Sequence, residues 1–132
     1  MVGRKIYAIN ATLIRAGAII VSTPQDIALK DAVKGINMFK KVDVQILGMI
    51  QNMSLFVCPH CHESTHVFGS RSRVTHACEE HSIPFLGDIP LHASICDDAD
   101  RGKPTVVAEP NSGRANAFKA IAQATGKRIG LF

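Results

Sequence analysis

The segment AIIVSTPQD, residues 18–26, decides the fold that the sequence predicts. Its first five residues, AIIVS, are apolar and mostly β-branched without alternation, which is typical of a strand buried on both faces. The next four, Thr23-Pro24-Gln25-Asp26, offer a capping hydroxyl, a proline for the first helical position and an acid for the positive end of a helix. The sequence therefore predicts a buried strand that passes into a helix capped by Thr23.

The alternation of strand and helix continues along the chain. The spacing of Leu29, Val33 and Ile36 places them on one helical face, and Lys40-Lys41 follows at the negative end of that helix. Further strands are predicted at 45–51 and 84–89, helices at 71–81 and 94–100, an extended segment at 104–108, and a last helix from a Ser112 cap to a stop at Gly126. This order predicts an α/β fold with about three parallel strands flanked by helices.

The composition excludes several classes of protein. A chain of 132 residues is long enough for one domain, and its apolar runs are far shorter than the roughly 20 residues that span a bilayer. The formal net charge is +4, but the basic residues are scattered and are not interleaved with aromatic residues. We therefore expect no membrane span and no nucleic-acid partner.

The sequence Cys58-Pro59-His60-Cys61 is half of a four-thiolate metal site. Two cysteines three positions apart around a turn can hold one edge of a metal ion or of an iron–sulfur cluster. The other two cysteines, Cys78 and Cys96, stand alone in helical segments and are predicted to be core or half-buried thiols. The missing pair of ligands is therefore expected from a second copy of the chain.

Other interpretations of this cysteine pair stay open at the level of sequence. The residues after Cys61 begin a helix poorly, which argues against dithiol exchange of the thioredoxin-like type. Zinc is a stronger alternative, closed within one chain by His62 and His66 or shared by two chains through the cysteines. His60 and His66 are otherwise predicted to be exposed loop residues, and the acids at 97, 98 and 100 a solvated helix face.

With these features in place, the chain resembles the C-terminal half of the Mrp-type P-loop ATPases that carry iron–sulfur clusters, and most of all their mitochondrial nucleotide-binding-protein-like branch, which is associated with respiratory complex I assembly. The resemblance implies a partial P-loop NTPase-like, Rossmann-like domain over residues 16–126, with a non-matching segment at 1–15 and a tail at 127–132. The stretches that carry the resemblance are AGAIIVSTPQDIALKDAVKGINMFKKV, ILGMIQNMSLFVCPHC, HVFGS, PFLGDIPLH and DDADRGKPTVVAEPNS.

The resemblance also implies a site and a location. Cys58 and Cys61 match the cysteines that pair across a homodimer and hold a labile [4Fe–4S] cluster, which is passed to apoprotein recipients with complex I subunits among the candidates. The base of ATP is expected near Asn52 and the Pro90-Leu91 segment, where a carboxamide can both donate and accept hydrogen bonds. Mitochondria are the implied compartment, with the cytoplasm as the alternative.

One departure from the family limits this expectation. The sequence contains no G-x-x-x-x-G-K-[ST] segment, so ATP is expected to bind weakly or not at all, and hydrolysis is not expected. We interpret the chain as a shortened product that keeps the cluster-binding half. Cluster binding and transfer is the expected function, and the alternatives are a zinc-stabilised interaction module and a fragment without a stable function.

Overall fold

The computed structural model describes residues 17–131 and confirms the α/β class. The predicted segment 1–15 lies outside the described residues. In chain order the elements are β1 (Ala18–Ser22), α1 (Asp26–Lys41), β2 (Ile46–Gln51), β3 (Phe56–Val57), β4 (Ser64–Thr65), α2 (Arg71–Glu80), β5 (Phe85–Asp88), α3 (Ala93–Asp100), α4 (Thr105–Ala108) and α5 (Gly113–Arg128). Strands β1, β2 and β5 form a parallel sheet in that order, and β3 and β4 form a separate antiparallel pair.

Helices pack on both faces of the parallel sheet. Successive residues of a strand point to opposite faces, so Met49 packs toward α1 and α2, whereas Ile50 packs toward α5. The first face is covered by a buried cluster that includes Ile20, Leu29, Ile36, Val74 and Cys78, and the second by Leu86, Ile89 and Ile121. The central strand β2 is therefore buried on both faces, which explains its continuous apolar sequence. The same burial predicted for β1 is wrong, because β1 has a neighbour on one side only in the described chain, and its Ile19 and Val21 are 38% and 57% exposed.

The strands β2 and β5 approach closely at a glycine. Gly48 has a φ of +154°, and a Cβ atom placed there would lie 2.5 Å from Leu86 Cγ and 2.7 Å from the carbonyl oxygen of Pro84. No side chain fits between these groups, so the central strand requires glycine at this position.

The first helix begins later than the sequence predicts. Its N-cap is Gln25, which makes no side-chain capping bond, and Thr23 instead donates its hydroxyl to Gln25 Oε1 at 3.3 Å. The cap predicted at Thr23 is therefore wrong. Pro24 is almost completely buried, and residues 23–25 form a bent connection between the sheet and the helix.

The C-terminal third of the chain differs from prediction in three places. The segment predicted to be extended contains the short helix α4, and its Thr105 donates a 2.9 Å hydrogen bond to Asp98 Oδ2. Asp98 is buried, so the solvated face predicted for the acids at 97, 98 and 100 is wrong at this position. Helix α5 continues past Gly126 to Arg128, whereas the predicted cap is confirmed, because Ser112 Oγ accepts the N–H of Ala115 at 3.1 Å.

Within the described range, no helix has both the length and the apolar character needed to cross a membrane.

Candidate functional site

The two cysteines lie in a β-hairpin that sequence reasoning treated as an irregular loop. We call β3, β4 and the residues between them the cysteine hairpin. Phe56 pairs with Thr65 and Val57 with Ser64, and the Cys58 N–H donates to the Glu63 carbonyl at 2.9 Å. Strands of two residues are too short to show an alternating pattern, so periodicity could not reveal the hairpin.

The turn of the hairpin brings both thiols together. The Cys61 N–H, then the His60 N–H and the Cys61 thiol, donate to Cys58 and lower the pKa of Cys58 below its ordinary value. These donors stabilise the thiolate, which is the form that binds metals. Cys58 is half-buried and Cys61 is exposed, and neither forms a disulfide.

The histidines near the hairpin do not complete a metal site within one chain. His66 Nδ1 lies 3.1 Å from the carbonyl oxygen of Ser54. From residue 17 to 131, no three Cys, His, Asp or Glu side chains are arranged to hold a metal ion. The structure therefore does not support the single-chain zinc site with His62 and His66, which stays an alternative for experiment, while the predicted exposure of His60 and His66 is confirmed.

The remaining cysteines have different environments. Cys78 is buried between α2 and the sheet, as predicted, and this burial together with the charge of Glu79 raises the pKa of its thiol. Cys96 was predicted to be core or half-buried but is exposed on α3, where its Sγ lies 3.8 Å from Asp100 Oδ2. Neither residue belongs to the cysteine hairpin.

The structure brings the predicted nucleotide-binding residues to one edge of the sheet. Asn52 directly follows β2, and the Pro90-Leu91 segment follows β5 at the same carboxyl end. The Ile89 N–H donates to the Gln51 carbonyl at 2.8 Å, so the two loops begin side by side. Asn52 Oδ1 accepts the N–H of Met53 at 2.9 Å, which leaves its amide group as a donor for a ligand.

Sequence reasoning missed Gln51. This side chain is 0% exposed, and neither its Oε1 nor its Nε2 has a hydrogen-bond partner among the described residues. The only signal in the sequence is a carboxamide at the end of a buried strand. Most buried polar groups in proteins are hydrogen-bonded, so this residue is energetically exceptional.

A cleft of about 730 Å³ lies between the cysteine hairpin and the starts of α3 and α5. We call it the hairpin cleft. It contacts both Cys58 and the Pro90-Leu91 segment, so it connects the two predicted sites. Its lining residues are Leu55, Phe56, Val57, Cys58, Pro59, His62, Pro90, Leu91, His92, Ala93, Gly113 and Arg114.

A parallel sheet whose central strand is covered by helices on both faces, with loops that meet at the carboxyl ends of the strands, is the architecture of open α/β domains, the class that includes the P-loop NTPase-like fold. A family model narrows this class. The chain belongs to the ParA-type family described as NUBPL iron-transfer P-loop NTPase, whose model matches residues 4–125.

The curated relatives of the chain support this family assignment. The chain is 50% identical over 113 residues to the iron-sulfur cluster transfer protein NUBPL of Dictyostelium discoideum, and the match covers 86% of this chain and 35% of the relative. It is also 47% identical over 116 residues to the mitochondrial iron-sulfur protein required for NADH dehydrogenase of Arabidopsis thaliana. This second match covers 88% of this chain and 37% of the relative. The chain thus spans about a third of the length of these curated relatives.

The fold also matches an experimental structure with a bound nucleotide. The septum site-determining protein MinD of Pyrococcus horikoshii, complexed with Mg-ADP, superposes with a TM-score of 0.68 at 27% identity. The match covers 87% of this chain and 43% of that protein. This likeness confirms the predicted P-loop NTPase-like architecture.

Proposed function

We propose that this chain binds an iron–sulfur cluster through Cys58 and Cys61 and passes it to apoprotein recipients. The observation that carries the proposal is the cysteine hairpin, in which backbone N–H groups of the turn stabilise a thiolate next to a second, exposed thiol. The donor set fits the cargo, because thiolates are the usual ligands of iron–sulfur clusters. The names of the relatives, which describe cluster transfer, support the same function.

The cluster we propose is a [4Fe–4S] cluster shared by two copies of the chain. Such a cluster usually takes four cysteine ligands, and one hairpin supplies two. A second copy would also cover apolar side chains around the hairpin, since Met53, Val57 and Val67 are 37%, 45% and 51% exposed. A homodimer through the hairpin therefore satisfies both the ligand number and the exposed apolar surface.

Transfer to a recipient requires thiolates of the recipient to replace those of the hairpin. An exposed Cys61 allows such exchange, because an incoming thiol can reach the ligand from solvent. We propose respiratory complex I subunits as candidate recipients and mitochondria as the compartment, on the basis of the plant relative, which is named for NADH dehydrogenase.

Nucleotide binding at Asn52, Pro90 and Leu91 is a secondary part of the proposal. The arrangement of these residues at the carboxyl edge of the sheet suits a base, as in other open α/β sheets. The sequence contains no glycine-rich loop to cradle the phosphates, so we propose weak ATP binding without hydrolysis.

The experiment that tests the function is anaerobic reconstitution with iron and sulfide. Iron, sulfide and zinc per chain are measured together with the native mass. We expect about two irons and two sulfides per chain in a dimer, because one four-iron cluster is shared by two hairpins. Cys58→Ala and Cys61→Ala should each abolish cluster loading.

A matched control is available in Cys96→Ala, since Cys96 is equally a free, exposed thiol but lies on α3. This variant should load a normal cluster. Loss of loading in Cys96→Ala, or a normal cluster in Cys58→Ala, would contradict the ligand assignment. Zinc retained by the chain, with no cluster formed, would favour a zinc-stabilised interaction module.

A further inference from the structure

The two thiols of the cysteine hairpin are close enough to react with each other. The His62 N–H donates to the Cys58 carbonyl at 2.9 Å, which closes a single turn of the chain around residues 58–61. Residues three positions apart on such a turn have Cβ atoms roughly 5–6 Å apart. The Cys61 thiol also donates a hydrogen bond to the Cys58 sulfur, so the two sulfur atoms are neighbours in the folded chain.

A bond between these sulfur atoms requires only a small change in the turn. A disulfide joins Cβ atoms that are about 3.5–4.5 Å apart, so the turn has to tighten by roughly 1–2 Å. The turn connects two short strands that form their own sheet, and residues 59–62 are exposed. The tightening therefore leaves the packing of the parallel sheet unchanged.

The other two cysteines have environments that do not favour a disulfide. Cys78 is only 4% exposed between α2 and the sheet, so a dissolved oxidant does not reach its sulfur. Cys96 is exposed but lies on α3, where its Sγ contacts Asp100 Oδ2 at 3.8 Å. Cys58 and Cys61 are thus the thiols in mutual contact, and Cys61 is open to solvent.

We propose that the cysteine hairpin, when it holds no cluster, is an oxidation site at which a peroxide forms a Cys58–Cys61 disulfide within one chain. One thiolate of the pair attacks an oxygen atom of hydrogen peroxide, the O–O bond breaks, and a sulfenic acid and a hydroxide form. The sulfur of the other cysteine then attacks the sulfenic sulfur, which forms the S–S bond and releases water. In sum, the two thiols lose two hydrogen atoms, and one peroxide is reduced to two molecules of water.

The consequence of this disulfide for cluster loading rests on the proposed function. The disulfide leaves no thiolate for iron, so the oxidised hairpin does not take up a cluster. Because Cys61 is exposed, a reducing thiol in solution can attack the disulfide and restore both ligands. The oxidation state of the pair therefore controls whether the chain loads a cluster.

The test uses the reduced, metal-free chain, which is treated with about one equivalent of hydrogen peroxide and then alkylated in guanidinium chloride. A tryptic digest locates the disulfide, because Cys58 and Cys61 lie together in peptide 42–71, and Cys78 and Cys96 lie together in peptide 74–101. We expect peptide 42–71 to lose two hydrogen atoms and to resist alkylation until a phosphine is added. Peptide 74–101 should be alkylated at both cysteines.

Two variants and a loading measurement complete the test. Cys61→Ala removes one of the two sulfur atoms, so the sulfenic acid on Cys58 should persist and be captured by dimedone. Cys96→Ala, the control at an exposed thiol outside the hairpin, should form the disulfide as readily as the unchanged chain. Iron and sulfide should load the reduced chain, should fail to load the oxidised chain, and should load it again after reduction.

Several results would overturn the inference. These are full alkylation of peptide 42–71 after peroxide treatment, a disulfide between two chains in place of the one within a chain, and cluster loading by a chain that carries the disulfide. The disulfide is measured without metal, so its absence would refute this inference and leave cluster loading by the reduced chain unaffected. A reduced chain that forms the disulfide with peroxide but binds no cluster would refute the proposed function instead.

Discussion

The backbone N–H of Leu91 donates a 2.9 Å hydrogen bond to the carbonyl oxygen of Leu55, which joins the loop after β5 to the segment that enters the cysteine hairpin. Ser54 reinforces this junction, because its N–H and its hydroxyl both donate to the carbonyl of Ile89, at 3.0 and 3.1 Å. The proposed nucleotide loop and the proposed cluster loop are thus connected by backbone hydrogen bonds. We therefore expect a ligand that binds to one loop to alter the conformation of the other loop through these hydrogen bonds.

Titration with ATP should therefore shift the amide resonances of both Leu91 and Leu55, with an affinity no tighter than millimolar because the phosphates have no glycine-rich cradle. Asn52→Ala should weaken the response, and no phosphate should be released. Tight binding or measurable hydrolysis would contradict the prediction.

The thiols should differ in reactivity in the native chain. At neutral pH, iodoacetamide should modify Cys58 well before Cys78, because turn N–H groups lower the pKa of Cys58 and burial raises that of Cys78. Mass spectrometry after a short exposure to iodoacetamide measures which of the two cysteines is modified first. In guanidinium chloride the difference between the two modification rates should disappear. Equal rates in the native chain would contradict the environments assigned to Cys58 and Cys78.

The raised pKa of Cys78 also predicts a dependence of stability on alkaline pH. The folded chain keeps this proton at a pH where the unfolded thiol, with a pKa of about 8.5, has lost it. The contribution of the Cys78 thiol to the free energy of unfolding is fully present below the unfolded pKa. It is lost as the pH rises through the folded pKa. Denaturant unfolding at several alkaline pH values should show a smaller decline in Cys78→Ala, and an identical decline would contradict this account.

Gln51→Met should stabilise the fold. The substitution keeps the length of the side chain and removes two buried polar atoms that have no partner in the described chain, which is worth about 1–3 kcal/mol. Chemical denaturation measures the change. A destabilised variant would show that the carboxamide is hydrogen-bonded in solution.

Two isoleucines of α1 provide a matched test of the core. Ile36 is 0% exposed and Ile27 is 74% exposed. Ile36→Ala should lower the free energy of unfolding by about 2–5 kcal/mol through cavity formation, whereas Ile27→Ala should change it by less than about 0.5 kcal/mol. Equal effects would show that α1 does not pack on the sheet as described.

Serine at two helix N-caps allows a similar comparison. Ser112 accepts the N–H of Ala115, whereas Ser70 makes no capping bond to α2. Ser112→Ala should therefore cost about 1 kcal/mol of stability and Ser70→Ala much less. Thermal unfolding measures both, and a larger loss in Ser70→Ala would contradict the assigned caps.

Much of the architecture followed from local pattern. The strand Ala18–Ser22 was predicted with its observed bounds, since a short β-branched run between helix signals has few other structures available. The helix beginning at Arg71 and the cap at Ser112 were also confirmed, because their signals lie within a few residues of each other. Errors occurred where contacts between separate elements decide, as at Asp98 of α3, which is buried and accepts a hydrogen bond from Thr105 of α4.

In the candidate site, too, the sequence predicted the local features and the folded structure revealed the rest. The Cys58–Cys61 spacing predicted a half-site, and its assignment as cluster ligands stays a prediction. Periodicity could not reveal the hairpin, the cleft or the contact of His66 with the Ser54 carbonyl, because each depends on pairing and packing between segments.

The sequence by itself determined the order of strands and helices and the pair of thiols, because hydrophobic periodicity, capping residues and cysteine spacing act over a few residues. Only the tertiary structure decided that the loops after β2 and β5 meet, that Arg114 and Cys58 line the same cleft, and that the buried Gln51 side chain has no partner between residues 17 and 131. These features arise when parallel strands bring their carboxyl ends to one edge, which joins residues far apart in the chain.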